Sequence, residues 1–433
     1  MFVAAASGLA VLLRPARPAA DLTVWTFTPA DASADRAAAD RFTIATGHSV
    51  RVDLVAAAAI DVRLSSLLMA DLSPTPNAGR PDVVELEASS VGKFLRGSPD
   101  DVGFLPLDDD LRRSGWLGRI VPARLSACSL GGHVFGVPLD LHPVTLVYRR
   151  DLIDLSAADT WAKLQAIGLR YQRSHGGHAF AMGLSATSPD TLLVMLQQRH
   201  VELVDADGTP HLTDPAVVET LCWYARAAGG ANQIGTDVNP APGGAAADLA
   251  AGDVVALVLA DWGVADLERF APSLAGRLAM VPLPRFDPGD ARTASWGGTM
   301  AGIPRFCPDP ARAWQLVEAT YLTSAVDRFR ATGVLPPVPA AWGDPAFHQT
   351  DPFFAGQRVT ELYIGLAAEL PPRHASAYTN TAQNMLAFVL DRAVSRARAG
   401  GTDLEPAVRA WLADRQAQLQ RQIDFDRRTG RSN

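Results

Sequence analysis

Two prolines, Pro138 and Pro143, interrupt the most strand-like stretch of this chain, residues 131–152 (GGHVFGVPLDLHPVTLVYRRDL). Proline fixes φ and removes a backbone donor, so the two cannot both lie deep in one central strand. The economical solution is a strand that leaves one sheet, crosses an open span at residues 140–143 and enters a second sheet. The chain then has two bodies joined by a hinge, and polar side chains in the span face the gap.

Length agrees with two bodies, since 433 residues exceed a typical single domain. Apolar residues make up 48% and charged residues 20%, the composition of a globular protein. A net charge of −7 argues against a nucleic-acid partner, which requires a basic field. Cys128, Cys222 and Cys307 match no metal-ligand spacing and read as small buried residues. No metal or cofactor is expected. Residues 1–20 open on an apolar run too short to span a bilayer, and read as an export signal or an N-terminal anchor.

From residue 22 the pattern runs strand (22–27), helix (31–46), strand (49–55), helix (60–72) and strand (83–87), which predicts a parallel sheet flanked by helices. In such sheets ligands bind beyond the carboxyl ends of the strands. Those ends carry Phe27 and Thr28, and Glu85 and Glu87 on one face by alternation. The two acids suit hydroxyl recognition or catalysis, or one of them pairs with an arginine. Further on, GDVVALVLADWG (252–263) predicts a buried strand ending at Trp262.

Three segments carry a family resemblance: FGVPLDLHPVTLVYRRDL (135–152), the Trp-ended strand at 252–263, and WGGTMAGIPRFCPDPARAWQLVE (296–318). In this order they resemble the family 1 extracellular solute-binding proteins, the maltose-binding-protein-like capture subunits of bacterial carbohydrate ABC importers. The resemblance covers nearly all of the chain after residue 21. It implies an α/β, two-lobed periplasmic-binding-protein fold of type II, with a ligand cleft between lobes joined by hinge crossovers. Residues 21–140 and 281–322 are expected to form the first lobe, and 141–280 and 323–433 the second. Crossings are expected near 140–143, 278–282 and Thr323. The implied function is non-catalytic binding of a sugar and its delivery to a membrane permease, by an exported, periplasmic or extracellular protein expected to be monomeric.

Sugars present an apolar C–H face and a rim of hydroxyls, so their sites want aromatic platforms beside carboxylates, amides and arginines. Trp262 at its strand end and Trp296 with Gly297 in a glycine loop are the expected platforms. Asp140 in the hinge is expected to accept from a hydroxyl, and His142 reads first as a hinge residue. Phe354 with Gln357 at a turn-to-helix junction, and Arg373 with Tyr378 before a long helix, complete the candidates; His374 is a weaker one. Trp25, in mid-strand, reads as core. Two other readings stay open: a different polar solute such as a polyamine or amino acid, and a glycosidase using the acids.

Overall fold

The structure is a computed structural model and describes residues 20–70, 79–177 and 179–429. The N-terminal export or anchor segment therefore falls almost wholly outside the described residues. Among those described, no helix is long and apolar enough to cross a membrane.

Strand β1 (Leu22–Thr26) is buried along its whole length, as a parallel strand covered on both faces must be. It turns into helix α1 (Pro29–Thr46) through a local signal: the Thr28 hydroxyl accepts from the Asp31 amide, and Pro29 supplies a preset φ. Gly47 ends the helix at φ 78°, where a side chain would be strained. Strand β2 (Val50–Leu54), helix α2 (Ala57–Ala70) and strand β3 (Val83–Glu87) follow, with both β2 and β3 parallel to β1. The short helix α3 (Ala88–Phe94) continues directly from β3.

Strand β4 (Val137–Pro138) closes this first sheet, and strand β5 (Val144–Arg149) starts a second one. Asp140 to Pro143 lies between them. In the second sheet β5 is flanked by β6 (Ala256–Ala260) and β7 (Leu278–Pro282), both antiparallel to it. Strand β8 (Thr299–Gly302) then returns to the first sheet, between β3 and β4 and antiparallel to both. The first sheet thus runs β2-β1-β3-β8-β4.

Two crossings differ from the sequence expectation. Residues 278–282 do not cross: β7 pairs with β5 along its whole length, Leu278 opposite Arg149 and Pro282 opposite Thr145. The chain recrosses later, through residues 293–299, where Ser295 pairs with Pro143. The last return is not near Thr323 either. Helix α4 (Ala325–Thr332) still packs on α1, and the chain comes back at Leu335, whose amide donates to Asp261. An apolar strand and a helix start look alike in sequence wherever they sit, so periodicity alone could not assign either segment to a lobe.

The second lobe has the larger core. Helices Pro215–Gly229, Thr379–Arg398 and Leu404–Arg428 pack together around Tyr224, Leu386 and Leu412. Trp25 is buried in the first lobe, and Cys128, Cys222 and Cys307 are buried and free.

Candidate functional site

A cavity of about 770 Å³ opens between the two sheets, within the range of small-molecule sites. From the first lobe it is lined by Phe27, Thr28 and Asp31 at the β1–α1 junction, and by Glu87 at the end of β3. Asp140 and His142 contribute from the first crossing, and residues 295–299 from the second. The second lobe supplies Gln197, Trp262 and Arg373.

Trp262 does not end a long strand. The strand stops at Ala260, and Asp261 and Trp262 open helix α5 (Asp261–Phe270). The turn places the indole on the cavity wall with 38% of its surface exposed, high for a tryptophan. It stands edge-on to Trp296, ring centres 5.5 Å apart and planes at 79°, and its Nε1–H donates to the Trp296 carbonyl at 3.1 Å. Gly297 lies in this corner at φ 85°, a backbone conformation in which a side chain would be strained. The pair forms an apolar corner in which the Trp262 indole N–H is already bonded.

Beside it lies a buried ionic network that joins all three crossings. Asp140 Oδ1 accepts from Arg124 Nη2 at 2.8 Å and from the Thr299 amide at 3.3 Å. Its Oδ2 faces His142 Nε2 at 3.1 Å. His142 Nδ1 lies 2.6 Å from Asp261 Oδ1, and Asp261 Oδ2 accepts from the Leu335 amide at 3.0 Å. Arg124 also donates to the Asp140 carbonyl and to Ser295 Oγ, which donates to the Leu141 carbonyl. Since both imidazole nitrogens face carboxylates, His142 is a doubly protonated cation. Burial alone would lower its pKa, but the charges of Asp140 and Asp261 outweigh that and push it up to about 10. Burial likewise pushes Asp140 up, and the His142 and Arg124 charges overcome it and hold the carboxyl well below its ordinary value. His142 adopts φ 48°, uncommon for a residue with a side chain. Asp140 has thus committed most of its acceptor capacity to the hinge, which leaves little for a ligand hydroxyl.

Glu85 requires a correction. It is fully buried and does not line the cavity: only the last residue of β3, Glu87, reaches the sheet edge, exposed to solvent. Two residues further back, the helices covering the sheet seal the carboxyl in. Thr26 Oγ1 donates to Glu85 Oε2 at 2.5 Å, and Asp35 lies against it. Arg328, from α4, donates to Asp35 Oδ1 at 2.6 Å and to Asp31, with Glu85 Oε1 3.7 Å away. Three carboxyls therefore share one guanidinium. Burial, with the neighbouring Asp35 charge, raises Glu85 well above the usual carboxylate range, and burial raises Asp35 too. Both carboxyls are thereby biased toward the protonated form.

Three other candidates also lie away from the cavity. Phe354 is 1% exposed and packs in the second-lobe core. The Gln357 amide bonds both backbone groups of Met280 and so extends the edge of β7. Tyr378 is buried, with its hydroxyl donating to Asp426 at 3.1 Å. An aromatic beside a turn serves as a core anchor as well as a ligand platform, and Phe354 and Tyr378 are anchors. His374 turns outward to Glu202 at 3.0 Å. The Thr28 hydroxyl is spent on its own helix, donating to Asp31 Oδ2 at 2.6 Å. Sequence reasoning missed Asp31, Gln197, Ser295 and Arg328. Asp31 had a signal, the Thr-Pro helix start four residues after mid-strand Trp25; Arg328 had none, since its partners are distant in the chain.

Comparisons with known proteins bear on what this cavity is for. The family model for bacterial extracellular solute-binding protein matches residues 37–355. An arabinooligosaccharide-binding protein of Halalkalibacterium halodurans is 21% identical over 71% of this chain and 70% of its own. A lactose-binding protein of Rhizobium radiobacter is 24% identical over 87% of this chain and 89% of its own. Among solved structures, the sugar-binding protein MalE of Xanthomonas citri superposes with a TM-score of 0.73 at 18% identity, over 92% of this chain and 99% of that one.

Proposed function

Because the chain belongs to the bacterial extracellular solute-binding protein family and has its two-lobed type II periplasmic-binding-protein fold, we propose that it captures a sugar or oligosaccharide between its lobes and delivers it to a membrane ABC permease. The observation that carries this reading is the exposed Trp262 ring set against Trp296 at the corner of a polar-rimmed cavity between two hinged lobes. A stacking surface with amides and carboxylates around it suits a ring with one apolar face and a rim of hydroxyls. The names of the two curated relatives, a lactose binder and an arabinooligosaccharide binder, support the same class of ligand.

The protein acts without catalysis in this reading. A glycosidase sets two carboxyls across the scissile bond. Here Glu85 is sealed beneath the sheet and Asp140 is held by Arg124 and His142. The protein works as an exported monomer. A thermal-melt screen over neutral and acidic mono- and oligosaccharides tests the proposal. A true ligand at one hundred times its Kd stabilises by about 2.7 kcal/mol, a clear upward shift. No shift with any saccharide at millimolar concentration would count against it.

A further inference from the structure

Three arginines line the cavity, and they differ in how their charge is met. Arg328 is buried against Asp31 and Asp35. Arg269 is exposed and lies over the Phe270 ring at 5.0 Å, so water and the ring serve it. Arg373 is half-buried, yet no ion pair to a carboxylate forms on its guanidinium among the described residues. Among the described residues the guanidinium's one hydrogen bond is long, Nη1 to the Ser295 carbonyl at 3.4 Å.

The surroundings of Arg373 meet its charge only in part. Its neighbour Arg124 is a second guanidinium, already bonded to Asp140 and Ser295. Glu202, the acid whose charge acts on it, is itself bonded to His374. Burial, and then the Arg124 charge, lower the Arg373 pKa to about 10. A guanidinium has five N–H donors and a fixed planar fork, and leaving it desolvated without a counter-charge is costly. Hydroxyls can accept its hydrogen bonds but cannot neutralise it. A carboxylate or a phosphate ester does both, and matches the fork with two parallel bonds. The acids on the cavity wall do not make the opposite demand. Glu87, Asp190 and Asp266 are exposed, and water meets their charge; Asp31 is paired with Arg328, and Asp140 with Arg124 and His142.

We propose that the ligand is an acidic saccharide and that Arg373 receives its anionic group, with the sugar ring stacked in the Trp262–Trp296 corner. This rests on the saccharide reading above and specifies its class.

The test is calorimetry on the full chain with paired neutral and anionic saccharides. Lactose is set against lactobionate and galactobiose against digalacturonate for the carboxylate. Glucose is set against glucose 6-phosphate for the phosphate ester. In at least one pair the acidic member should bind about tenfold or more tightly, the worth of a charge-assisted pair over a neutral one. Which pair shows it decides between carboxylate and phosphate. Arg373→Gln should bring the ratio of the two affinities close to one, and Arg373→Lys should keep most of it. If neutral members bind as well as or better than acidic ones in every pair, or if Arg373→Gln leaves the ratio intact, the proposal is overturned while saccharide capture stands. Should neither kind bind, saccharide capture fails and this proposal falls with it. If Arg373→Gln does not fold, the wild-type ratios and the Arg373→Lys variant still decide.

Discussion

Two buried ionic clusters flank the cavity, and they solve the same problem in opposite ways. At the hinge, two carboxylates (Asp140, Asp261) meet two cations (Arg124, His142), so charge balances without a spare proton. Beneath the first sheet, three carboxyls (Asp31, Asp35, Glu85) meet one guanidinium, and burial biases the Asp35–Glu85 pair toward protonation. The balanced cluster spans all three crossings and fixes the geometry around which the lobes turn. The unbalanced one lies inside a single lobe and ties α4 to α1. Charge parity, more than burial, then decides which substitutions each cluster tolerates.

The largest expected effect follows from breaking parity at the hinge. Asp140→Ala leaves Arg124 and His142 buried without their shared partner and should destabilise by about 3–5 kcal/mol, read from denaturant unfolding. A loss below about 1 kcal/mol would show that water reaches the network. Next comes Gly298, at φ 123°, where a Cβ would sit 1.8 Å from Arg124 Nη2. Gly298→Ala should cost about 1–3 kcal/mol, by overpacking and strain; Arg124→Ala in the same background should recover none of the strain component.

A pH series sharpens the contrast. The pKa of His142 rises from its ordinary 6.5 to about 10 on folding. Its contribution is therefore complete below pH 6.5 and lost as pH rises to about 10. The melting advantage of wild type over His142→Gln should shrink across that window, and a constant advantage would contradict the imidazolium. Glu85 also has a raised folded pKa, so its protonated form is the one the fold favours. Glu85→Gln mimics that form. It should change stability by about 1 kcal/mol or less at neutral pH, the scale of one exchanged hydrogen bond, and gain on wild type as pH rises. A large loss at neutral pH would mean that the carboxylate is ionised.

Much of this arrangement was legible in the chain. The strand that switches sheets is written in Pro138 and Pro143, and the first lobe's strand–helix order in local signals such as Thr28-Pro29 and Gly47. Phe27 and Glu87 at strand ends, Trp262 at a helix start and Trp296 in a glycine loop all line the cavity, and such junctions are visible in sequence. What was not legible depends on distance in the chain. Glu85 looks like Glu87 until the covering helices are placed, and Arg328 gains its role only when α4 packs against α1. Phe354 and Tyr378 show that an aromatic at a turn carries no mark of whether protein or ligand will cover it.

The central claim, saccharide capture at the Trp262–Trp296 corner, is tested most directly by calorimetry on wild type and Trp262→Ala side by side, using the best saccharide from the melt screen. Trp262 is 38% exposed, so its loss should spare the fold and weaken binding by about 1–3 kcal/mol, tenfold to over a hundredfold in Kd. Equal affinity of the two proteins, with both fully folded by circular dichroism, would contradict the account and move the sugar away from this corner.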